Sequence, residues 1–380
     1  MASSNSTYVT SNVSNITSNN AADQNLGTAV LIIYTCAIIV IGGIGNGVLI
    51  FVHFRRRPDP RSTSKIKVLY HFIFIMAVLD LISCTLILPT HVYQLVFECQ
   101  YFSIVACKLF AYGRLFCVYS SMFILVAIAI DRYISVCFPF VESATINMKK
   151  ARVLTALALV AGGLAAVPNL VVFEVTELTS GVTTCQPTRS SAIQRFLTEG
   201  LLYMTLSLYV CCAVVIIFLY TSVFVSVFRQ AIKRRNLRNR SAIQNTNALG
   251  ATVQAVRDHV TARTGMMLFL VTTVFILAWT PYWTMYLLMY NFPATIPILV
   301  EKHVMNLFGS SYYINNAVNP IIYTFVNKTF RDEIVSILKC QPQRGQGGSL
   351  VSQKTGQNGE LNGRGSRIAK TINTANDTLC

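Results

Sequence analysis

Acidic and basic residues are missing from five long stretches of the chain, residues 24–54, 153–173, 200–228, 264–300 and 303–327. Each is long enough to cross a bilayer, which takes roughly 20 apolar residues as a helix. Two further apolar segments carry isolated charges: 68–96 contains Asp80, and 104–137 contains Arg114, Asp131 and Arg132. The pattern predicts seven membrane-spanning helices. An odd number places the two chain ends on opposite sides of the membrane.

Composition supports this reading and removes others. Hydrophobic residues form 53% of the 380 residues and charged ones 12%, too few to solvate a globular surface. A soluble enzyme and a disordered protein are thereby excluded, and no catalytic constellation is present. The net charge of +16 would by itself point to nucleic acid, but its distribution gives it another meaning. Of 31 lysines and arginines, 25 fall in the segments 55–67, 138–152, 229–263 and beyond 327, and only three in the opposite set of loops. The positive-inside rule then puts the N-terminus outside and the C-terminus in the cytoplasm of a multi-pass plasma-membrane protein. The basic loop 229–263 faces anionic lipid or a cytoplasmic partner, and nucleic acid is not a partner.

The ends fit that orientation. Residues 1–27 are rich in Asn, Ser and Thr and hold sequons at Asn5, Asn12 and Asn15, which reads as a disordered, glycosylated extracellular tail. With no basic leader and cleavage site ahead of it, span one is expected to act as an uncleaved signal anchor. Residues 341–380 read as a disordered cytoplasmic tail.

Ionisable residues within a membrane are costly and therefore mark function. Asp80 lies near the middle of span two. It is either a neutral carboxyl bonded to a neighbouring helix or one of a set of oxygens, with Asn46, Ser121, Asn315 and Asn319, able to hold a small hard cation such as Na+. Span three ends in Asp131-Arg132-Tyr133, a charged pair that simple snorkelling at the rim would also allow. Span six carries Trp279-Thr280-Pro281 and span seven Asn319-Pro320-Ile321-Ile322-Tyr323. Each proline removes a backbone hydrogen bond and gives its helix a place to bend.

With Gly45-Asn46 in span one and Cys107 at the start of span three, these motifs occur in order, each on its own span. Over about residues 28–340 the chain resembles a rhodopsin-like (class A) G-protein-coupled receptor. The resemblance implies an all-α seven-transmembrane bundle ending in a short amphipathic eighth helix at 328–339, with Cys340 as a palmitoylation site. It implies that Arg132 is held by Asp131 at rest and meets a heterotrimeric G protein once span six moves, with Tyr220 and Tyr323 approaching it in the active state. Trp279 and Phe275 resemble the switch beneath the ligand. Asp80, Ser121, Asn315 and Asn319 match the family's sodium site, Phe140 its hydrophobic G-protein contact, and Cys107 with Cys185 its outer disulfide. Arrestin and receptor kinases are implied partners of the cytoplasmic tail. The family's tryptophan in span four and proline in span five are absent, the latter replaced by Cys212, so helix five is expected to lack its bulge.

Arg114 lies 18 residues before Arg132, five helical turns along one face. Amine receptors of this family have an aspartate there, and the opsins' retinal-bearing lysine corresponds to Tyr313, so amine binding and light sensing are disfavoured. Arg114 either meets an anionic group of the ligand or pairs with an acid of the outer rim, Glu199 or Glu301. His91, Gln94, Tyr282, Tyr286 and Tyr313 are candidate pocket walls, although tyrosines at such spacing also serve as helix packing. The motif string from Asp131 to Pro139 is most similar to neuropeptide receptors. A small anionic or lipid ligand is the alternative, and a seven-span transporter or channel the rival from another class.

Overall fold

The computed structural model describes the backbone of residues 4–55, 64–97, 103–138, 146–177, 183–188, 190–241, 248–296 and 302–326, with 331, 332, 334 and 335 beyond. Side chains are not described for 4–25, 64–66, 234–241, 248–265, 302–303 and 326. Phe140, Cys340, Cys99 and the tail 341–380 lie outside the described residues.

Six helices are long and apolar enough to cross a membrane, at Leu26–Arg55, Lys67–Val96, Ile104–Cys137, Met148–Val172, Ala192–Lys233 and Met266–Asn291. The seventh span is present in three pieces: α9 (Lys302–Gly309), a 3-10 turn (Ser311–Ile314) and α10 (Asn315–Val326). The other elements are α1 (Ser4–Arg55), α2 (Ser64–Ile82) with a π turn (Ser83–Ile87) leading into α3 (Leu88–Val96), α4 (Ile104–Cys137), α5 (Met148–Ala166), α6 (Asn169–Val172), α7 (Ala192–Ser241) and α8 (Ala248–Asn291). Large apolar side chains such as Ile33, Ile44, Leu157, Leu164, Phe218 and Phe224 point outward. They are what hydrocarbon would cover.

Several boundaries differ from the sequence reading. Helical backbone begins at Ser4, within the tail expected to be disordered; polar composition argues against a packed core, not against helical φ and ψ. Span six ends at Asn291, and span five begins at Ala192. The bundle is not purely helical. Strands β1 (Phe173–Glu177) and β2 (Thr183–Pro187) form an antiparallel hairpin between spans four and five, with Val175 opposite Cys185. The π turn in span two precedes Pro89, whose missing N–H disrupts the regular ladder. As Cys212 implies, α7 runs as one regular helix.

Span three is central. Its side chains Tyr119, Met122, Ile124, Leu125 and Ile128 are fully buried. Span four packs on it through Ala151, Thr155, Ala158, Gly162 and Ala166, one stripe of small residues that lets the two backbones approach. A Cβ on Gly162 would meet Ser120, with its backbone nitrogen at 2.8 Å and its hydroxyl closer still. Small residues thus occupy the helix face where the usual tryptophan is missing. Gly42 and Gly45 serve span seven in the same way: added Cβ atoms would lie 2.8 Å from the Asn316 carbonyl oxygen and 2.7 Å from Pro320.

The hydrogen bond lost at Pro320 is made good from a neighbouring span. Pro320 cannot donate to the Asn316 carbonyl, and Asn46 Nδ2 does so instead at 2.8 Å, while also donating to Gly42 O at 2.9 Å. Where span seven breaks, Tyr34 Oη donates to the carbonyls of Ser310 and Ser311 at 3.3 and 3.2 Å. Near Pro281, Ser311 Oγ donates to Ala278 O at 2.8 Å and Tyr209 Oη to Ile276 O at 3.0 Å.

Gly162→Ala is expected to lower the melting temperature of the receptor in lipid nanodiscs. Gly43→Ala, with nothing within 4 Å of the added carbon, is expected to be neutral or stabilising by up to about 1 kcal/mol from helix propensity. Equal effects would refute close packing of spans three and four.

Candidate functional site

A cavity of ≈ 40 Å³ runs down the middle of the bundle, from Arg114, Tyr312 and Tyr313 at one end to Asp80, Asn319 and Leu125. It has room for about three waters. Ser121, Asn315, Phe275 and Trp279 also line it. All four residues of the expected sodium set therefore share one space. Asn319 Nδ2 donates to Asp80 Oδ2 at 2.7 Å, and the buried Nδ2 of Asn315 has no partner among the described residues. A carboxylate, a hydroxyl and amide carbonyls are the oxygen donors a small hard cation takes, so the residues present fit Na+.

Trp279 sits at the wall of this cavity beneath a stack of rings. Tyr312 lies flat on it, centroids 4.4 Å apart and planes 19° apart, and Tyr282 meets it edge-on at 5.4 Å. Phe275 lies 6.3 Å away on the same helix, one turn closer to the inner face. Tyr282 continues the cluster to Tyr286 at 6.2 Å and to Tyr312 at 5.3 Å. His91 stands 5.2 Å from Tyr313. Arg114 faces the phenols of Tyr282, Tyr312 and Tyr313, and its guanidinium lies 5.6 Å from the ring centre of Phe173. The structure therefore brings Arg114, His91, Tyr282, Tyr286 and Tyr313 together. Gln94 is partly buried on α3.

The hairpin that carries Phe173 is fastened to the bundle. Cys185 of β2 is disulfide-bonded to Cys107, with Cα atoms 5.6 Å apart, and β1 also packs against α4. Tyr290, the third tyrosine of the span-six series, turns away to Tyr203, which donates to it at 3.1 Å.

At the other end of span three, Asp131 and Arg132 form a buried ion pair through Arg132 Nε, at 3.0 Å, and a shorter contact from its Nη2. Both side chains are under 10% exposed, at 2% and 7%. Snorkelling at the rim would leave them in water, so that reading is corrected. The hydroxyls of Tyr220 and Tyr323 are buried with no hydrogen-bond partner among the described residues. Tyr220 packs on Phe269 of span six at 5.9 Å. Tyr133 meets Phe138 edge-on at 5.6 Å. Gln230 Nε2 donates to Val136 O at 3.1 Å, closing spans three and five together.

The chain matches the family model described as "7 transmembrane receptor (rhodopsin family)" over residues 45–323. It belongs to the rhodopsin family of seven-transmembrane receptors. It is a signalling receptor of the membrane and not an enzyme. Among curated proteins it is similar to growth hormone secretagogue receptor type 1 of Oryctolagus cuniculus, 26% identical over 81% of this chain and 80% of that protein. It is also similar to the human protein of that name, at 25% with the same coverage, and to neurotensin receptor type 1 of Mus musculus, at 22% over 80% of this chain and 74% of that protein.

Sequence reasoning missed Tyr312, Trp283 and Tyr209, which complete the aromatic cluster around Trp279. Trp283, four residues after Trp279, was the available signal. Tyr312 gave none, because its contact depends on the break in span seven.

Tyr312→Phe is expected to keep the stack on Trp279 and leave thermal stability unchanged. Tyr312→Ala opens a void beside it at a cost of roughly 3 kcal/mol, read as a lower melting temperature in nanodiscs. Equal melting of the two variants would refute the stacking account.

Proposed function

We propose that this receptor converts binding of an extracellular peptide into nucleotide exchange on a cytoplasmic heterotrimeric G protein. The observation that carries the reading is the pairing of an aromatic chamber under a disulfide-anchored hairpin with a buried Asp131–Arg132 pair at the opposite end. One end is built to recognise and the other to be released. The names of the similar proteins, a secretagogue receptor and a neurotensin receptor, support a peptide ligand. So does the mouth, where the tail and outer loops carry six acids against three bases, a field that draws in basic peptides.

Ligand contacts with Tyr282, Tyr286 and Tyr312 change the packing around Trp279, and Pro281, two residues further along span six, gives that helix a place to bend. Outward movement of its inner half uncovers Arg132, which exchanges Asp131 for the unpartnered hydroxyls of Tyr220 and Tyr323 and for the G protein. Ligand binding can shift this equilibrium only by its preference for the open form. The charge distribution supports an outside N-terminus and a cytoplasmic C-terminus. Phosphorylation of the Ser- and Thr-bearing tail by receptor kinases, arrestin recruitment, and contact of the 229–263 loop with lipid belong to the same reading.

Na+ bound by Asp80, Ser121, Asn315 and Asn319 would hold spans two, three and seven in the resting arrangement. Sodium is expected to raise the melting temperature of the unliganded receptor relative to N-methylglucamine at equal ionic strength, and Asp80→Asn to remove the difference. A sodium effect that survives Asp80→Asn refutes the site.

A peptide library applied to receptor-expressing cells, with cyclic AMP and calcium readouts, tests the main reading. Peptides found active should lose G-protein activation by 100-fold or more, on the order of 3 kcal/mol, in Arg132→Ala at unchanged surface expression. Retained signalling would sink the mechanism. A ligand-gated current in cells lacking functional G proteins would favour a channel instead.

A further inference from the structure

Arg114 is a full charge placed deep in the outer half of the bundle, and what surrounds it does not neutralise it. Its guanidinium faces three phenols and the ring of Phe173. Among the described residues no carboxylate lies at ion-pair distance from it; Glu199, one of its two candidate partners, is described and is not paired with it. Phenol dipoles and one ring face offset a fraction of a unit charge, and an unpaired cation in a low-dielectric cavity is costly. A second unpaired group stands close by. His91 Nε2 is buried without a partner among the described residues, and its ring lies 5.2 Å from Tyr313, which lines the same cavity as Arg114.

We infer that Arg114 is the seat for a carboxylate of the ligand, which enters under the hairpin and lays an adjoining apolar or aromatic group against Tyr282 and Tyr312. This rests on the receptor reading above and adds the chemistry of the ligand. A guanidinium offers two parallel N–H donors that match a carboxylate's two oxygens, where an ammonium offers only a point charge. In the tautomer protonated at Nε2, His91 supplies a further donor. Phe173 covers the guanidinium from the hairpin side, which the Cys107–Cys185 bond keeps in place. The carboxylate is the shared chemistry of three sources: a peptide's free C-terminus, an acidic side chain, or a small aryl acid.

The test uses purified receptor in nanodiscs and two probes of one shape, 3-phenylpropionate and 3-phenylpropionamide. The acid should raise the melting temperature and the amide should not. Arg114→Gln should abolish the acid's effect and Arg114→Lys should reduce it, with surface expression confirming that each variant folds. Glu301→Gln should leave the acid's effect in place or enlarge it. An acid without effect on the wild type, an amide equal to the acid, or an undiminished response in Arg114→Gln each overturns the inference. So does a loss of stability in Glu301→Gln that matches Arg114→Gln and vanishes when both are changed, which is the signature of an internal ion pair.

Active library peptides, remade as free acids, as amides and with Asp or Glu replaced by Asn or Gln, identify the source. Arg114→Gln should cost the carboxylate-bearing form on the order of 10- to 100-fold in potency, and the neutral form under about threefold. Activation with equal losses for both forms overturns the inference and leaves the receptor reading intact. No activation by any peptide, beside an acid-specific melting shift, does the reverse.

Discussion

Hydrocarbon supplies no hydrogen bonds, so every polar group within a span must be satisfied by the protein itself or by what it binds. In this receptor the demand is concentrated on span seven. Its helix is broken after Gly309 and carries Pro320, and at both places side chains of span one donate to its carbonyls. Asn46 and Tyr34 reach from span one, and Ser311 returns the service to span six. These bonds hold the spans at fixed depths, and the glycines at 42 and 45 let spans one and seven come close enough to make the first of them.

What remains unsatisfied is informative against that background. Asn315 Nδ2, His91 Nε2 and the hydroxyls of Tyr220 and Tyr323 are buried and unpartnered among the described residues. The first borders the cavity beside Asp80, the second stands near Arg114, and the last two belong to the same buried cluster at the inner half. They mark where an ion, a ligand and a displaced arginine would find partners. A buried ion pair such as Asp131–Arg132 contributes little net stability compared with apolar packing. In the proposed mechanism its value lies in having a competitor, which is what a switch requires.

The seven spans and their motifs were readable because each depends on a local signal, an apolar stretch or a proline in a helix, and the Cys107–Cys185 bond because the family resemblance implied it. The three-piece form of span seven was not, since its broken backbone is stabilised by Tyr34, 276 residues away. Nor was the hairpin, whose strands are short and polar and pair only with each other. The small-residue stripe from Ala151 to Ala166 was visible in principle, as Ala, Thr, Ala, Gly and Ala at helical spacing, yet only its contact with Ser120 gives it meaning. Snorkelling at the rim was already the weaker reading of Asp131 and Arg132, and their burial removes it. Arg114 was readable as an anomaly, and the neighbours that partly offset its charge come from three separate segments, β1, span six and span seven.

The proposed activation turns on a swing of span six at Pro281 that uncovers Arg132. Spin labels at Lys149, exposed at the inner end of span four, and at Met266, exposed on the inner half of span six, report this movement directly by double electron–electron resonance, with accessible cysteines replaced by serine. Adding nucleotide-free heterotrimeric G protein should shift the distance distribution to longer values. An unchanged distribution with the G protein bound would contradict the account.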